Sequence, residues 1–174
     1  PKKRLFRLIK DSAIINRLGI NNEGVIAISQ RLKNNTSDVI IGGNIGKNTS
    51  TENDLAYEDY LENFKTLHPY VDYFVLNVSC PNVSNFTKLQ DVEFLKNLLP
   101  DLNKFNCSKD HRKPILIKIS PDLNNDQLDQ TLDFIIKEQI DGIIATNTTT
   151  SRDNLQTSEK DILNIGKGGL SGTP

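Results

Sequence analysis

Several residue types that commonly mark a function are scarce or missing in this chain of 174 residues. Methionine and tryptophan are absent, and the two cysteines, Cys80 and Cys107, match no zinc-binding spacing. We therefore expect reduced thiols in a reducing compartment and no metal site. No Gly-x-Gly-x-x-Gly segment follows a predicted strand and no Walker sequence occurs, so a nicotinamide Rossmann site and a nucleoside triphosphatase have no support.

A strong charge of one sign and long apolar runs are also lacking. The formal net charge is −1, so no basic excess indicates a nucleic-acid partner. No apolar run approaches the roughly 20 residues that a membrane-spanning helix needs. The chain begins at Pro1 without methionine and stops in a glycine-rich turn at residues 171–174. We expect it to be an internal piece of a longer protein.

What the sequence does contain is a repeated alternation of apolar strands and amphipathic helices. We predict an irregular lead-in at residues 5–19, followed by helices at residues 21–33, 52–67, 92–103 and 125–138. Strands are predicted at residues 39–41, 73–76, 114–119 and 142–145. This alternation is typical of a parallel sheet, and four βα units predict about half of a (β/α)8 TIM barrel. An open, doubly wound sheet is the alternative.

Each predicted strand ends near a polar side chain, at the edge where parallel sheets of both kinds bind their ligands. These side chains are Asn44, Asn77, Lys118 and Asn147. An amide both donates and accepts hydrogen bonds, which suits a flat ring with alternating C=O and N–H groups. A single asparagine here could instead cap a helix or form a turn, but the recurrence at equivalent strand ends favours a shared ligand.

Lys118 lies within an apolar run, residues 115–119, that we expect to be buried. A buried ammonium needs an anionic or strongly accepting partner. The N1/O2 edge of a flavin, which carries charge when the flavin is reduced, would serve as that partner. The alternative is that the side chain leaves the strand end for solvent or for a local carboxylate such as Asp122.

Cys80 follows another apolar strand and lies between two amides, Asn77 and Asn82. A thiol at a strand end can act as a nucleophile or a base, or it can be a small buried residue. Neither His68 nor His111 is near it in sequence, which argues against a Cys–His hydrolase. We expect both histidines at the surface.

The segment 166–172 is rich in glycine. Such a segment can expose main-chain N–H groups that hold a phosphate, or it can be a plain flexible loop. It follows the last predicted strand, where the phosphate of a cofactor could bind.

Six segments together resemble the dihydroorotate dehydrogenases, and the resemblance extends along essentially the whole chain. The most telling is the sequence Asn-Val-Ser-Cys-Pro-Asn at residues 77–82, which resembles the catalytic-strand motif of that family. The others, in chain order, are residues 4–8 with 14–21, 43–48, 117–123, 146–149 and 168–172.

The resemblance implies a TIM barrel that contains FMN and oxidises dihydroorotate to orotate in pyrimidine synthesis, and this chain would supply strands three to six of that barrel. Residues 1–174 would then be one partial FMN-binding barrel domain. By position, Cys80 matches the base that removes the C5 proton while hydride leaves C6 for the flavin N5. The residues that match substrate contacts are Asn16, Asn77, Asn82, Asn147 and Thr148. Those that match flavin contacts are Asn16, Asn44, Lys118, Thr146, Ser171 and Gly172.

The long segments resemble the class 2 enzymes, which are associated peripherally with the cytoplasmic side of the inner membrane and reduce a quinone. Cys80 departs from that class, since cysteine at this position is the usual mark of the soluble class 1, and Val83 replaces a common threonine. A soluble class 1 enzyme of the cytoplasm is therefore an alternative. A dihydropyrimidine dehydrogenase-like flavin enzyme and a non-catalytic half-barrel module are the others. We expect residues 1–174 alone neither to bind FMN tightly nor to turn over.

Overall fold

The structure, a computed structural model, describes residues 3–48, 50–78 and 88–173. Its strands are β1 (Leu5–Leu8), β2 (Ala13–Asn16), β3 (Gly42–Ile45), β4 (Tyr73–Leu76), β5 (Ile115–Lys118), β6 (Gly142–Ile144) and β7 (Gly169–Gly172). Its helices are α1 (Val25–Lys33), α2 (Ala56–Leu67), α3 (Lys88–Cys107), α4 (Asn125–Lys137) and α5 (Glu159–Ile165). Among the described helices, none combines the length and the hydropathy needed to cross a membrane.

Strands β3 to β6 form a four-stranded parallel sheet in chain order, as the alternation of strands and helices predicts. The bounds of β4 are those predicted, β6 and α4 each end one residue earlier than predicted, and β5 is one residue shorter at both ends. Helix α4 begins where its capping box requires, because the Asn124 side chain accepts from Gln127 N and the Gln127 side chain accepts from Asn124 N.

The predicted strand at residues 39–41 is wrong. The β-branched residues Val39 and Ile40 are 66% and 80% exposed, and the strand begins at Gly42. Pairing decided the position, because Gly42 lies opposite Tyr73 at the start of β4 and the ladder continues from there. Strand propensity reports how well a side chain fits a paired surface, so it does not place a strand that has no partner.

A second, antiparallel sheet has the order β1-β2-β7. The predicted irregular lead-in is therefore wrong, because residues 5–16 form a hairpin. A flexible loop is also wrong for residues 169–172, which form the edge strand β7. The glycines permit this close pairing: a Cβ at Gly172, whose φ is +129°, would lie 2.5 Å from Ser12 O, and one at Gly168, whose φ is +156°, would lie 2.6 Å from Asn16 O.

The main core lies between one face of the parallel sheet and helices α2, α3 and α4. Its largest fully buried members include Phe64, Phe74, Leu98, Leu102, Ile115 and Ile117. His68 belongs to this core at 5% exposure, so its predicted surface position is wrong. Its Nε2 lies 3.0 Å from Asn106 Oδ1, and its ring packs against Phe64 and Phe105. The hydrogen bond with the buried Asn106 amide offsets the free-energy cost of burying the polar imidazole nitrogen.

Candidate active site

Asn44, Asn77 and Lys118 lie at the carboxyl ends of three neighbouring strands of the parallel sheet. Ile45 pairs with Leu76 and Leu76 with Ile117, and all three side chains are buried in the helix-facing core. Because side chains alternate along a strand, the residue next to each of them faces the opposite side of the sheet. Asn44, Asn77 and Lys118 therefore share the face that is turned away from the helices.

Asn77 is held in place through its backbone. Its N–H donates to Ile45 O at 2.9 Å and extends the ladder one residue beyond β4. Its carbonyl accepts a 3.0 Å hydrogen bond from the hydroxyl of Tyr60, which is buried on α2. Asn77 as a whole is 8% exposed. Strand β3 and helix α2 thus both hold the backbone of Asn77, which is predicted to contact the substrate.

Lys118 carries its charge next to Asn77 on this face and is half-buried. Within the described residues, it forms no salt bridge. The carboxylate of Asp122, the local alternative, accepts hydrogen bonds from Thr149 and Thr150. An ammonium group in this position suits an anionic or strongly accepting ligand.

Five candidate residues line one cleft of about 530 Å³ between the end of β6 and strand β7. They are Thr146, Asn147, Thr148, Ser171 and Gly172. An isolated β-bridge lies beside the cleft, where Thr149 and Leu170 exchange hydrogen bonds of 3.0 and 2.8 Å. Thr148 lies directly over Gly169, where an added Cβ would be 2.0 Å from Thr148 Oγ1.

The amide of Asn147 also has a local role. Its Oδ1 accepts from Thr148 N at 2.9 Å, and its own N–H donates to Ile119 O at 2.9 Å. The local, turn-forming role that was the alternative for a single asparagine is therefore present at Asn147, which also lines the cleft.

Asn16 ends β2 and reaches the same part of the molecule from the other sheet. Its Nδ2 donates to Gly169 O at 3.4 Å and its Oδ1 accepts from Leu18 N at 3.5 Å. Asn16 and Thr148 thus both lie next to Gly169. This proximity joins candidates that are more than 130 residues apart in the sequence.

Asn44 lines a different cleft of about 570 Å³, between β3, α2 and the segment before α1. Asn22 and Lys47 are among its other lining residues. The structure therefore brings Asn44 near Asn77 and Lys118 on the sheet but does not place it in the cleft beside β7. Cys80 and Asn82 lie outside the described residues, and Cys107 is an exposed free thiol at the end of α3.

Two arginines that sequence reasoning did not select hold the glycine-rich segment. Arg17 donates to Ile165 O at 2.5 Å and to Lys167 O at 3.1 Å, and its guanidinium packs on the ring of Phe6. Arg152 donates to Gly168 O at 2.6 Å. Arg17 directly follows Asn16, the last residue of β2, and a polar residue after a strand end is a signal for a functional position. The signal was missed because strand β2 was not predicted.

The electrostatics of this region follow from burial and hydrogen bonding. Burial lowers the pKa of Arg152, which the nearby Asp122 carboxylate opposes. A hydrogen bond from the Thr157 hydroxyl lowers the pKa of Asp11, which also accepts from Gln156 N at 2.5 Å. Asp11 thereby fastens the β1–β2 hairpin to the segment before α5.

A parallel βα sheet with amides and an ammonium group at its carboxyl end, beside a small antiparallel sheet, defines a barrel-type α/β protein with a ligand site at the strand ends. The comparisons agree. A profile of the family described as dihydroorotate dehydrogenase matches residues 1–174, and the chain belongs to that family.

Similar proteins carry the same description. A protein of Christiangramia forsetii named dihydroorotate dehydrogenase (quinone) is 54% identical over 99% of this chain and 49% of its own length. One of the same name from Nocardia farcinica is 42% identical over 100% of this chain and 47% of its own length. The chain spans about half the length of these relatives.

A solved structure extends the likeness to the fold. The crystal structure of DHODH from Eimeria tenella in complex with ferulenol superposes with a TM-score of 0.83 at 31% identity, over 99% of this chain and 51% of that one. The predicted fold is confirmed: the chain forms about half of a TIM barrel, and the open doubly wound alternative is set aside.

Proposed function

We propose that the protein to which this chain belongs oxidises dihydroorotate to orotate in pyrimidine synthesis, with FMN as the hydride acceptor and a quinone as the final acceptor. Residues 1–174 would form one partial FMN-binding barrel domain. The observation that carries the proposal is the placement of Asn77 beside Lys118 on the face of the sheet that is turned away from the helices, with Asn44 on the neighbouring strand. The family and the names of the relatives support it.

The chemistry of the side chains fits a flavin. Lys118 offers a half-buried ammonium group without a salt bridge among the described residues, which suits the accepting N1/O2 edge of the ring. The other residues proposed to hold FMN are Asn16, Asn44, Thr146, Ser171 and Gly172. Bound FMN would supply a two-electron acceptor for the hydride that leaves C6 of the substrate.

The substrate ring is a cyclic imide, so amides and a hydroxyl can read its alternating C=O and N–H groups. We assign that task to Asn16, Asn77, Asn82, Asn147 and Thr148. Cys80 would take the proton from C5 and hold it on Sγ. A thiol with an ordinary pKa of about 8.5 is a better base near neutral pH than an unassisted hydroxyl.

The acceptor is proposed to be a quinone, with peripheral contact at the cytoplasmic side of the inner membrane. The names of the relatives support the quinone, whereas Cys80 is the feature that favours a soluble class 1 enzyme of the cytoplasm. Comparing a short-chain quinone with a water-soluble acceptor, in the full-length protein, separates the two classes.

The deciding experiment uses the full-length protein, purified with its flavin. Under anaerobic conditions, dihydroorotate is expected to bleach the flavin absorbance, and dihydrouracil is not. Lys118→Met is expected to weaken FMN binding, while Lys137→Met, which changes an exposed lysine at the end of α4, serves as the matched control. Flavin bleaching by dihydrouracil alone would favour a dihydropyrimidine dehydrogenase-like enzyme. A full-length protein that binds no flavin would favour a non-catalytic module.

A further inference from the structure

We propose that Asp122 is a positioning residue that holds the β6 loop, defined here as residues 145–150, in the place where it can contact substrate. The proposal rests on the proposed function, because it is that function which assigns Asn147 and Thr148 to the substrate and Thr146 to the flavin.

The contact joins two adjacent βα units. Asp122 lies in the loop that follows β5, four residues after Lys118. Its Oδ1 accepts from the hydroxyl of Thr149, and its Oδ2 accepts from Thr150 N at 2.9 Å and Thr150 Oγ1 at 2.7 Å. One carboxylate therefore receives three hydrogen bonds from two consecutive residues, and bonds to an ionised acceptor are stronger than neutral ones.

These bonds act on Thr149 and Thr150, the last two residues of the β6 loop. Thr150 is exposed and follows directly after Thr149, which pairs with Leu170 of β7. If the carboxylate were absent, water could satisfy the Thr150 donors. The carboxyl-terminal part of the β6 loop would then lose its side-chain link to the segment after β5, while Asn147 N would still donate to Ile119 O. The candidate residues Asn147 and Thr148 lie two to three residues before Thr150. A shift of Thr150 would therefore reach them through the intervening main chain.

Asp122 thus connects three segments that carry candidate residues. The segment that contains Asp122 follows Lys118 at the end of β5, the β6 loop carries Asn147, and the bridge between Thr149 and Leu170 leads to Ser171. Asp122 itself acts through the two threonines. Since a misplacement of about 1 Å can lower a rate roughly 100-fold, such a clamp matters even without touching the ligand.

The test uses the full-length, flavin-loaded protein and compares Asp122→Ala, Asp122→Asn and Asp141→Asn. The last is the matched control: Asp141 also receives hydrogen bonds, from Arg112 at 2.8 and 2.9 Å and from Ile115 N at 2.8 Å, but at the opposite, amino-terminal end of β5. Orotate affinity is read from the change in the flavin spectrum, and flavin content is measured separately.

Asp122→Ala is expected to weaken orotate binding at least about tenfold, which corresponds to about 1.4 kcal/mol, with FMN retained. Asp122→Asn keeps one acceptor oxygen and is expected to restore part of the loss. Asp141→Asn is expected to leave orotate affinity unchanged even where it lowers the unfolding midpoint, because it changes the far end of the sheet.

A double-mutant cycle distinguishes positioning from general destabilisation. In a Thr149→Val, Thr150→Val background, Asp122→Ala is expected to add less than about a twofold further loss of orotate affinity, since the side-chain bonds through which it acts are mostly gone. Full additivity, unchanged orotate affinity in Asp122→Ala, or an equal loss in Asp141→Asn would each overturn the proposal. A wild-type protein that binds neither dihydroorotate nor orotate would overturn the proposed function as well, whereas the other outcomes leave that function standing.

Discussion

The hydroxyl of Tyr60 donates a 3.0 Å hydrogen bond to the main-chain carbonyl of Asn77, so helix α2 holds the point where β4 gives way to the candidate site. Both residues are buried. If the Tyr60 hydroxyl were removed, the buried Asn77 carbonyl would have neither this donor nor water, which costs free energy, while the aromatic ring of residue 60 would pack as before.

Replacing Tyr60 with Phe is expected to lower the free energy of unfolding by about 1 kcal/mol, measured by urea denaturation of the full-length protein. Tyr70→Phe is the control, because in the described part of the chain the hydroxyl of Tyr70 forms no hydrogen bond. Equal losses in the two variants would show that the contact with Asn77 contributes nothing.

Cys80→Ala is expected to abolish flavin reduction by dihydroorotate while FMN remains bound, because the C5 proton loses its acceptor. Anaerobic stopped-flow absorbance measures the reduction. Cys107→Ala, which removes the exposed thiol at the end of α3, is the matched control and is expected to react at the wild-type rate. Full reduction of Cys80→Ala at the wild-type rate would refute its assignment as the base.

Gly169→Ala is expected to weaken orotate binding at least about tenfold, because a new Cβ 2.0 Å from Thr148 Oγ1 must displace that side chain or β7. Orotate titration of the flavin spectrum measures the effect. Gly142→Ala places its Cβ 3.4 Å from Leu116 Cγ on β5, and orotate affinity is expected to stay as in the wild type. If Gly169→Ala bound orotate normally, the position of Thr148 would not matter for binding.

The pair of Arg112 and Asp141 predicts a pH dependence of stability. Burial raises the pKa of Asp141, but hydrogen bonds from Arg112 and Ile115 N outweigh it and lower the pKa below its ordinary 3.8. Since the folded pKa is depressed, this contribution to stability is complete above about pH 5 and is lost as pH falls through the folded pKa. Wild type is therefore expected to exceed Asp141→Asn in urea stability at pH 5, with a smaller difference at pH 3. A difference that does not change with pH would contradict this linkage.

The parallel half of the fold could be predicted from local pattern. The runs at residues 73–76 and 115–117 are apolar on both faces, as is typical of strands covered on both sides of a sheet. Asn77 and Lys118 end these runs, and parallel strands bring their carboxyl ends to one edge. Their proximity therefore followed from the order of strands and helices alone.

The antiparallel half could not be predicted in this way. Strand β7 consists largely of glycine and small residues. Such segments carry little strand propensity of their own. Its pairing with β2 joins residues more than 150 apart in the sequence, as in the contact between Asn16 and Gly169, which are 153 residues apart.

By itself, the sequence determined the alternation of strands and helices, the family of the protein and the polar residues at the strand ends, because these depend on periodicity and on contiguous motifs. Only the tertiary structure decided which of those residues share a cleft. It also showed that Asp122 and Arg152 hold the loops that carry them. The reason is physical: these contacts are hydrogen bonds between segments that are separated in the sequence, and only the folded chain brings their donors and acceptors within reach.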